Sequence, residues 1–331
     1  MWRSGVAILA PLLAAAGLFP SLPAEAKDAY PSRAVKVVVP AAAGSTTDIL
    51  ARLVAEQLNH KWNKPVIVVN VSGGAMNIGA EQVARSPPDG YTLLVSPPSP
   101  IAFNHLLYRD LAYDPRSFVT VAALARVPNV LVARKDLPAS SARELIAHAK
   151  ANPGKVTYAS QGAGSTAHLS AAQLEMLAGI EMVHVPYRGA QPALNDLIGG
   201  HVDIFFDTVA TSTPLFRAGK IKILGIASHE RLPALPDVVT IAESALPGFR
   251  SVTWFALVAP PKTPRALVEK INRDVVEGLG KPEVAEKLGK LMLEPIGGTP
   301  AAGAKFIADE AELWGKVIRE QRIEGQVPRP R

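Results

Sequence analysis

The stretch Ala34-Val-Lys-Val-Val-Val-Pro-Ala-Ala-Ala-Gly-Ser-Thr46 runs from β-forming residues into a glycine-containing turn, and its ending, Ala-Gly-Ser-Thr, recurs at Ala163–Thr166. Each copy follows a run of β-forming residues and precedes an amphipathic helical pattern, which predicts a strand, a turn through glycine and a helix. The first turn of a helix leaves backbone N–H groups without partners, and the helix dipole places positive charge there. The two copies therefore predict two anion-binding loops, which could hold one ligand between two lobes.

The first 26 residues have the pattern of a cleaved signal peptide. A positive start, Met1–Ser4, is followed by the apolar and uncharged run Gly5–Phe19, and Leu22-Pro-Ala-Glu-Ala26 ends in an A-x-A cleavage pattern. The apolar run is shorter than the roughly 20 residues that a membrane-spanning helix needs. We therefore expect an exported protein that is cut after Ala26.

The composition argues against several classes of function. The chain has 35 lysines and arginines against 29 acidic residues, a net charge of +6, but the cations are scattered and only 6% of the residues are aromatic. Scattered cations with few aromatic residues argue against nucleic acid binding and favour a surface field that attracts small organic anions. The chain has no cysteine, which excludes disulfides and thiolate chemistry.

Strand and helix patterns alternate along the rest of the chain, which is typical of an α/β fold with mostly parallel sheets. A change of pattern near Pro128 predicts a second lobe, whose first strand is Asn129–Ala133, and the apolar strand Thr253–Ala259 returns the chain to the first lobe. We expect residues 27–128 and 253–325 to form a split first lobe, residues 129–252 an inserted second lobe, and residues 326–331 a loose tail. Two strands would then join the lobes as a hinge.

Sequence signatures of catalysis and of metal binding are missing. The chain has no G-x-S-x-G elbow, no complete dinucleotide or phosphate-loop fingerprint, and no H-x-x-x-H spacing. Ser165 and His168 leave a secreted α/β hydrolase open as an alternative, although Ser165 or Thr166 as the N-cap of a helix explains this pattern without chemistry. We expect no metal ion and no cofactor.

Two acidic residues and one loop are further candidates for the site. Asp48 stands in the first turn of a predicted helix, where a carboxylate suits the helix dipole. Asp207 follows the apolar run Ile204–Phe206 at the carboxyl end of a predicted strand, the end that faces the ligand crevice in open α/β sheets. The Tyr187–Gly189 loop follows the predicted strand Met182–Val185 in the same way. For each of them a plain cap or turn role stays open beside a role in ligand binding.

A series of short motifs also occurs in a characteristic order and spacing. They are Tyr30-Pro-Ser-Arg33, Asn77-Ile-Gly-Ala80, Pro88-Asp-Gly-Tyr-Thr-Leu93, Leu111-Ala-Tyr-Asp-Pro115, Tyr158-Ala-Ser-Gln-Gly162, Gly164-Ser-Thr-Ala-His168, His184-Val-Pro-Tyr-Arg-Gly189, Gly199-Gly-His-Val-Asp203, Ala234-Leu-Pro-Asp-Val238 and Trp254-Phe-Ala-Leu-Val-Ala-Pro260. In this order the motifs resemble those of the substrate-binding proteins of tripartite tricarboxylate transporters, the Bug-type periplasmic receptors. The resemblance runs from Tyr30 to about Lys316.

This resemblance implies a type II periplasmic binding protein fold, two α/β lobes joined by two hinge strands, in a protein that is not an enzyme. It implies a small organic carboxylate as the ligand and an inner-membrane permease of one large and one small subunit as the partner. No nucleic acid partner is expected, and the receptor is expected to be a periplasmic monomer. A receptor that serves a sensor kinase stays open as an alternative.

The resemblance also implies which loops hold the ligand. Receptors of this family are described as holding a carboxylate through backbone amides, hydroxyls and waters of the loops after the first strand of each lobe, here Ala41–Asp48 and Gln161–His168. The first loop, Pro40–Asp48, departs from the usual Pro-Phe-x-Pro-Gly-Gly-x-x-Asp, so we expect the ligand specificity to differ there. The candidate ligand-binding residues are Ala42, Ala43, Gly44, Ser45, Thr46, Asp48, Ser96, Gly164, Ser165, Thr166, His168, Tyr187 and Asp207.

Overall fold

Strands and helices alternate along the chain in the computed structural model, which describes residues 1–2, 30–187 and 189–323. The strands are β1 Val35–Val39, β2 Val66–Asn70, β3 Thr92–Ser96, β4 Val119–Arg134, β5 Thr157–Ser160, β6 Val183–Pro186, β7 Ile204–Thr208, β8 Ile221–Ile226, β9 Val252–Ala259 and β10 Glu294–Gly297. The helices are α1 Thr46–Trp62, α2 Asn77–Ala84, α3 Asn104–Leu107, α4 Ala142–Ala151, α5 Thr166–Ala178, α6 Ala190–Ile198, α7 Val209–Arg217, α8 Ile241–Ser244, α9 Arg265–Leu279, α10 Pro282–Lys290 and α11 Pro300–Glu320.

Three predictions fall wholly or partly on residues that are not described. The expected signal peptide, residues 1–26, lies outside the described residues except for its first two positions, and the expected tail, residues 326–331, lies outside them entirely. Arg188, the middle residue of the predicted loop after β6, also lies outside them.

The strands join in the order β2-β1-β3-β9-β4-β7-β5-β6, with β8 and β10 also pairing with β4. Strands β1, β2 and β3 run parallel to one another, and so do β5, β6 and β7. Strands β9 and β4 are antiparallel to their neighbours β3 and β7. The predicted α/β fold is confirmed, but five of the nine strand pairings among the described residues are antiparallel, and each of these five involves β4 or β9. The first set of parallel strands (β1–β3) is separated from the second set (β5–β7) by β9 and β4.

Strand β4 corrects one prediction. The sequence predicts a new strand from Asn129, but β4 is continuous through Pro128. Residues 119–128 of β4 pair with β9, and residues 129–133 pair with β7. Strand β4 also pairs with β10 up to Arg126 and with β8 from Val130. Pro128 therefore lies where β4 changes partners, a position at which the missing N–H of proline costs no ladder hydrogen bond.

The remaining element boundaries follow the sequence closely, with some exceptions. The predicted strand at residues 35–39 is confirmed as β1. The helix predicted after the first Ala-Gly-Ser-Thr is α1, which is capped by Ser45 and continues to Trp62, after which Asn63 adopts a left-handed conformation. Helices α7 and α10 were not predicted, and α7 contains Pro214, a residue that argues against a helix interior.

A buried apolar cluster joins elements that are distant in the sequence. Leu169 on α5 lies in the same cluster as Leu107 on α3, Trp254 on β9 and Trp314 on α11. Helix α5 follows β5 of the second strand set, but the face of α5 that carries Leu169 packs against α11 and the end of α3. Burial of such large side chains is the main favourable term in folding. Helix α5 is therefore held against both strand sets.

Within the described part of the chain, no helix combines the length and the apolar character that crossing a lipid bilayer requires.

Candidate functional site

The carboxyl ends of the two sets of parallel strands point toward each other. Ser96, the last residue of β3, pairs with Ala256 of β9, which in turn pairs with Ala123 of β4. Thr208, the last residue of β7, pairs with Asn129 of β4 from the opposite direction. The two strand ends are thus six residues of β4 apart, about 20 Å at the usual rise per residue. Because ligands of open α/β sheets bind beyond the carboxyl ends of strands, this space is the candidate site.

Each set of strands contributes one loop of the repeated sequence, the first glycine loop (residues 42–46) and the second glycine loop (residues 162–166). The two loops have nearly the same backbone conformation. Gly44 and Gly164 have φ values of 79° and 74°, in the region that favours glycine. Ser45 and Ser165 have φ, ψ values of −68°, 159° and −66°, 158°. The prediction of a strand, a glycine turn and a helix is confirmed at both copies.

Both serines are N-caps of the helices that follow. The Ser45 hydroxyl accepts a hydrogen bond from the Asp48 backbone N–H at 3.3 Å, and the Ser165 hydroxyl accepts one from the His168 N–H at 3.4 Å. The serine N–H groups are also used, since they donate to the carbonyls of Ala42 and Gly162. Each hydroxyl satisfies one of the donors that a helix leaves free in its first turn.

The residue four positions after each glycine closes its loop. The Gly44 N–H donates to the Asp48 carboxylate (Oδ2, 2.9 Å), and the Gly164 N–H donates to the His168 ring (Nδ1, 3.0 Å). A carboxylate in one loop and an imidazole in the other thus accept the equivalent hydrogen bond. Because the glycine N–H groups are already bonded, they order the loops instead of pointing at a ligand.

Asp48 is buried, accepts two further hydrogen bonds and forms an ion pair with Arg52. Arg52 donates to it through Nε at 3.0 Å and also lies within 3.0 Å through its second nitrogen, while Asn70 donates through Nδ2 at 2.9 Å. Burial alone would raise the pKa of Asp48, but the hydrogen bonds from Arg52, Gly44 and Asn70 together hold it below the usual value. Asn70 also donates to the carbonyl of Ala41. Arg52 and Asn70 are not among the residues predicted from the sequence, although the i, i+4 spacing of Asp48 and Arg52 indicates that their side chains can pair.

His168 is buried in a stack of rings. Its ring lies 3.9 Å from that of His184, centroid to centroid, and the His184 ring lies 5.0 Å from that of Tyr158. Burial, with a smaller effect from His184, lowers the pKa of His168 to about 3, and burial lowers the pKa of His184 to about 4. Both imidazoles are therefore neutral near pH 7. The Ser165 hydroxyl accepts a hydrogen bond from the backbone N–H of His168, and the described residues contain no hydrogen bond between this hydroxyl and the His168 ring.

The hydrogen-bond donors without a partner are at the first two positions of helices α1 and α5. Among the described residues, the backbone N–H groups of Thr46 and Thr47, and those of Thr166 and Ala167, have no hydrogen-bond acceptor. The Thr46 and Thr166 hydroxyls likewise have no partner there, and both threonines are half-buried. Ala42, Ala43 and Gly44 are exposed beside the first group. Each helix start thus offers two N–H groups and a hydroxyl, a set of donors that suits a carboxylate.

Residues after β3 contact the second glycine loop across the gap. The Ser99 hydroxyl donates to the carbonyl of Gly164 at 2.9 Å. Leu107 packs so closely that a Cβ on Gly164 would lie 2.1 Å from its Cδ1 atom. Nothing in the sequence marks these contacts, because they join segments about 60 residues apart. They show that the two strand sets meet at this loop.

The other three candidates occupy less open positions. Ser96 is buried at the end of β3, where its hydroxyl donates to the carbonyl of Pro97. Asp207 is 2% exposed and accepts hydrogen bonds from the Thr211 and Ser212 hydroxyls, so it orders the start of α7; burial raises its pKa. Tyr187 donates to Asp196, and burial followed by this neighbouring carboxylate raises its pKa to about 12.

A separate cavity of about 1090 Å³ lies beside the start of β4 and the start of α11, and none of the candidate residues lines it. Asn272, a polar residue in its wall, already donates to the carbonyls of Val121 and Gly298. We therefore place the candidate site between the strand ends, where donors stay open. Within the described residues, no group of three or more histidine or acidic side chains is arranged to hold a metal ion.

Comparisons with known proteins agree with the geometry. Residues 50–323 match the family described as "Tripartite tricarboxylate transporter family receptor". Protein BugT of Bordetella pertussis is 35% identical over 317 residues, which cover 95% of this chain and 96% of BugT. A solved structure of Rpa4515 from R. palustris with adipate has 38% identity and a TM-score of 0.82, covering 89% of this chain and 99% of that one. MatC from Rhodopseudomonas palustris with bound malate has 33% identity and a TM-score of 0.78, covering 87% and 100%.

These comparisons confirm the predicted class of fold and the predicted absence of enzymatic function. The structural neighbours are periplasmic solute-binding proteins of the same type, and receptors of this family bind carboxylates and are not enzymes. The hydrolase alternative therefore loses its support, in keeping with a His168 ring that bonds to Gly164 rather than to Ser165.

Proposed function

The chain belongs to the tripartite tricarboxylate transporter receptor family, and we propose that it is a periplasmic receptor for a small organic dicarboxylate. The ligand lies between the two glycine loops, with one carboxylate at the start of α1 and the other at the start of α5. The ligand-binding residues are those at the facing strand ends, with Thr46 and Thr166 as the side chains that contact the ligand directly.

The matched geometry of the two glycine loops is the observation that carries this proposal. Each loop leads into a helix whose first N–H groups and threonine hydroxyl have no hydrogen-bond partner among the described residues. The glycine N–H of each loop, in contrast, already donates to Asp48 or His168. Two equivalent donor sets at facing strand ends suit a ligand with two anionic groups. Adipate and malate, the ligands in the two neighbouring structures, are such dianions.

The same geometry predicts an affinity in the micromolar range. A hydrogen bond to a charged group contributes about 1.5–3 kcal/mol, so three to five of them offset the cost of association and leave micromolar binding. We propose that the two lobes, residues 27–128 with 253–325 and residues 129–252, close around the ligand by a hinge at β4 and the start of β9. Closure removes water from the carboxylates and strengthens each hydrogen bond.

The same proposal includes export of the protein to the periplasm and delivery of the ligand to a permease. Residues 1–26 are removed as a signal peptide on export, and the closed receptor delivers its ligand as a monomer to a two-subunit permease of the inner membrane. Amino-terminal sequencing of the periplasmic protein tests the cleavage after Ala26, and an intact amino terminus would contradict it. A receptor for a sensor kinase binds the same ligand, so loss of uptake on deletion of the permease genes separates the two roles.

Calorimetric titration with adipate and malate tests the binding site. Thr46→Ala and Thr166→Ala each remove one donor to a carboxylate, so we expect affinity to fall by roughly 10- to 100-fold. Thr92→Ala is the matched control, because Thr92 is also half-buried but lies at the amino end of β3. Equal affinities of all three variants and the parent would contradict the site, and heatless titrations with a full panel of dicarboxylates would contradict the ligand class.

A further inference from the structure

A buried chain of hydrogen bonds connects the second glycine loop to the strands that join the two lobes. Its members are Thr253 on β9, Asn129 on β4, Ser251 just before β9, and Ser170 and Thr166 on α5. The Thr253 hydroxyl lies 3.2 Å from Asn129 Oδ1, and Asn129 Nδ2 lies 2.8 Å from the Ser251 hydroxyl. The Ser251 and Ser170 hydroxyls are 2.5 Å apart, and Ser170 lies 2.6 Å from the Thr166 carbonyl.

Counting protons fixes the direction of this chain. A serine hydroxyl has one proton, and that of Ser170 goes to the Thr166 carbonyl, which can only accept. Ser251 must therefore donate to Ser170, and its oxygen accepts from the amide of Asn129. The Asn129 oxygen in turn accepts from Thr253. Every donor points the same way, from the hinge strands to the first turn of α5, and such directed chains strengthen their own bonds.

The surroundings make this chain stiff. Asn129, Ser170 and Ser251 are buried, with exposed fractions of 2%, 0% and 1%. The backbones of Asn129, Ala227 and Ser251 are also bonded to one another. Because water cannot replace a lost partner at such a site, removing any one hydroxyl leaves a buried polar group without a hydrogen bond.

Asn129 is also the residue at which β4 passes from β9 to β7, so a rotation of one strand set against the other must act on it. No equivalent chain is found for the first glycine loop among the described residues, whose Asp48 bonds only to its own half through Gly44, Arg52 and Asn70. The two loops thus have the same conformation but different mechanical connections.

We propose that Ser170 and Ser251 are positioning residues that couple the second glycine loop to the hinge, so that the start of α5 and the angle between the lobes change together. Its consequence for binding rests on the proposed function: a carboxylate at the start of α5 favours the closed hinge angle through this chain. The coupling itself is a property of the protein without ligand.

Hydrogen exchange of the ligand-free protein tests the coupling. A typical intramolecular hydrogen bond is worth about a three- to tenfold change in an equilibrium constant. We expect Ser170→Ala and Ser251→Ala each to speed exchange by about that factor in peptides covering residues 163–172 and 127–131. Because both variants lose the bond between the two serines, the double variant should be about three- to tenfold slower than independent effects predict. Ser244→Ala is the matched control, since Ser244 also donates to a carbonyl four residues back but has no further partner on the hinge.

The angle between the lobes gives a second measurement. The chain has no cysteine, so cysteines at the exposed positions Lys64 and Lys220 report one distance between spin labels, one on each lobe. We expect a broader distance distribution in Ser170→Ala and Ser251→Ala than in Ser244→Ala, and a smaller shift on adding adipate. Independent exchange effects together with an unchanged distribution would overturn the coupling. If adipate and malate leave the parent distribution unchanged, the proposed function fails, while the ligand-free measurements still decide the coupling.

Discussion

Among the single residues, Asp48 and His168 show that a carboxylate and an imidazole can stabilise the same loop conformation. Each accepts the N–H of a glycine four residues earlier in a left-handed conformation. The sequence predicts a helix cap at Ser165 or Thr166 because capping depends only on neighbouring residues. It does not predict the ring stack of His168, because His184 and Tyr158 come from other strands. The sequence thus predicts the local structure at these positions but not the residues that contact them from distant parts of the chain.

Asp48→Ala should lower the stability of the protein. It removes a buried acceptor and leaves the Gly44 N–H and the Asn70 amide without their partner. We expect the free energy of unfolding to fall by about 2 kcal/mol, near the lower end for a charged acceptor, because the Arg52 partner is half exposed. Urea unfolding measures this loss. The control Glu56→Ala removes an exposed pair with Lys287 and should change stability little, and equal effects of the two variants would contradict the role of Asp48.

His168 should make the protein less stable in mild acid. Its pKa is about 3 in the folded protein against 6.5 unfolded, so between these values the unfolded chain binds one more proton. The stabilisation is therefore complete above pH 6.5 and is lost as the pH falls toward 3, by up to about 1.4 kcal/mol per pH unit.

His168→Asn separates this contribution from the rest of the acid response. Urea unfolding at pH 7, 6 and 5 measures the free energy of unfolding. Over this range it should fall by about 1–2 kcal/mol less in the variant than in the parent. His229→Asn, at an exposed position, is the control and should keep the parent slope. Parallel slopes in His168→Asn and the parent would show that His168 is not the group responsible.

At the scale of elements, the two glycine loops were predictable and strand β4 was not. A strand, a glycine turn and a capped helix are encoded within about fifteen residues, so the repeated sequence was sufficient to predict both loops. The continuity of β4 depends on partners far away in the sequence, β7, β8, β9 and β10, that meet it on both edges. A proline inside such a strand is tolerated only where the pairing changes, which no local pattern reveals.

The two glycines should differ in their tolerance of alanine. Gly44→Ala meets open space, so we expect only the cost of the left-handed conformation, about 1–2 kcal/mol. Gly164→Ala has the same backbone cost and in addition collides with Leu107, whose Cδ1 atom would lie 2.1 Å from the new Cβ. Overpacking of this kind adds about 1–3 kcal/mol.

Thermal or urea unfolding of the two alanine variants measures this difference. The double variant Gly164→Ala with Leu107→Ala should be more stable than the sum of its single effects predicts, because the collision is removed. Additive effects, or equal costs at Gly44 and Gly164, would mean that Leu107 does not press on the second glycine loop.

At the scale of the whole molecule, the segment before β9 is fixed to the last long helix. Arg250 lies one residue before Ser251 and pairs with Glu310 of α11 at 2.6 Å. Glu310 is buried and also accepts a hydrogen bond from the Trp314 indole. The hinge segment is thus held by α11 on one side and by the Ser170–Ser251 contact on the other. Both attachments would restrict the axis of the hinge that we propose between the two lobes.

Arg250→Met should therefore cost much more than the loss of a surface ion pair. It leaves the Glu310 carboxylate buried with only Trp314 as a partner, and breaking a fully buried pair costs roughly 3–5 kcal/mol. Since the Arg250 side chain is about one third exposed, we expect a smaller loss of about 2 kcal/mol in the free energy of unfolding. Lys305→Met is the control on the same helix, because Lys305 pairs with Asp309 at an exposed position and should contribute less than about 0.5 kcal/mol. Equal losses for the two variants in urea would show that the hinge segment is not fixed through Glu310. A larger loss for Arg250→Met, with a broader interlobe distance distribution, would place this ion pair among the contacts that set the hinge.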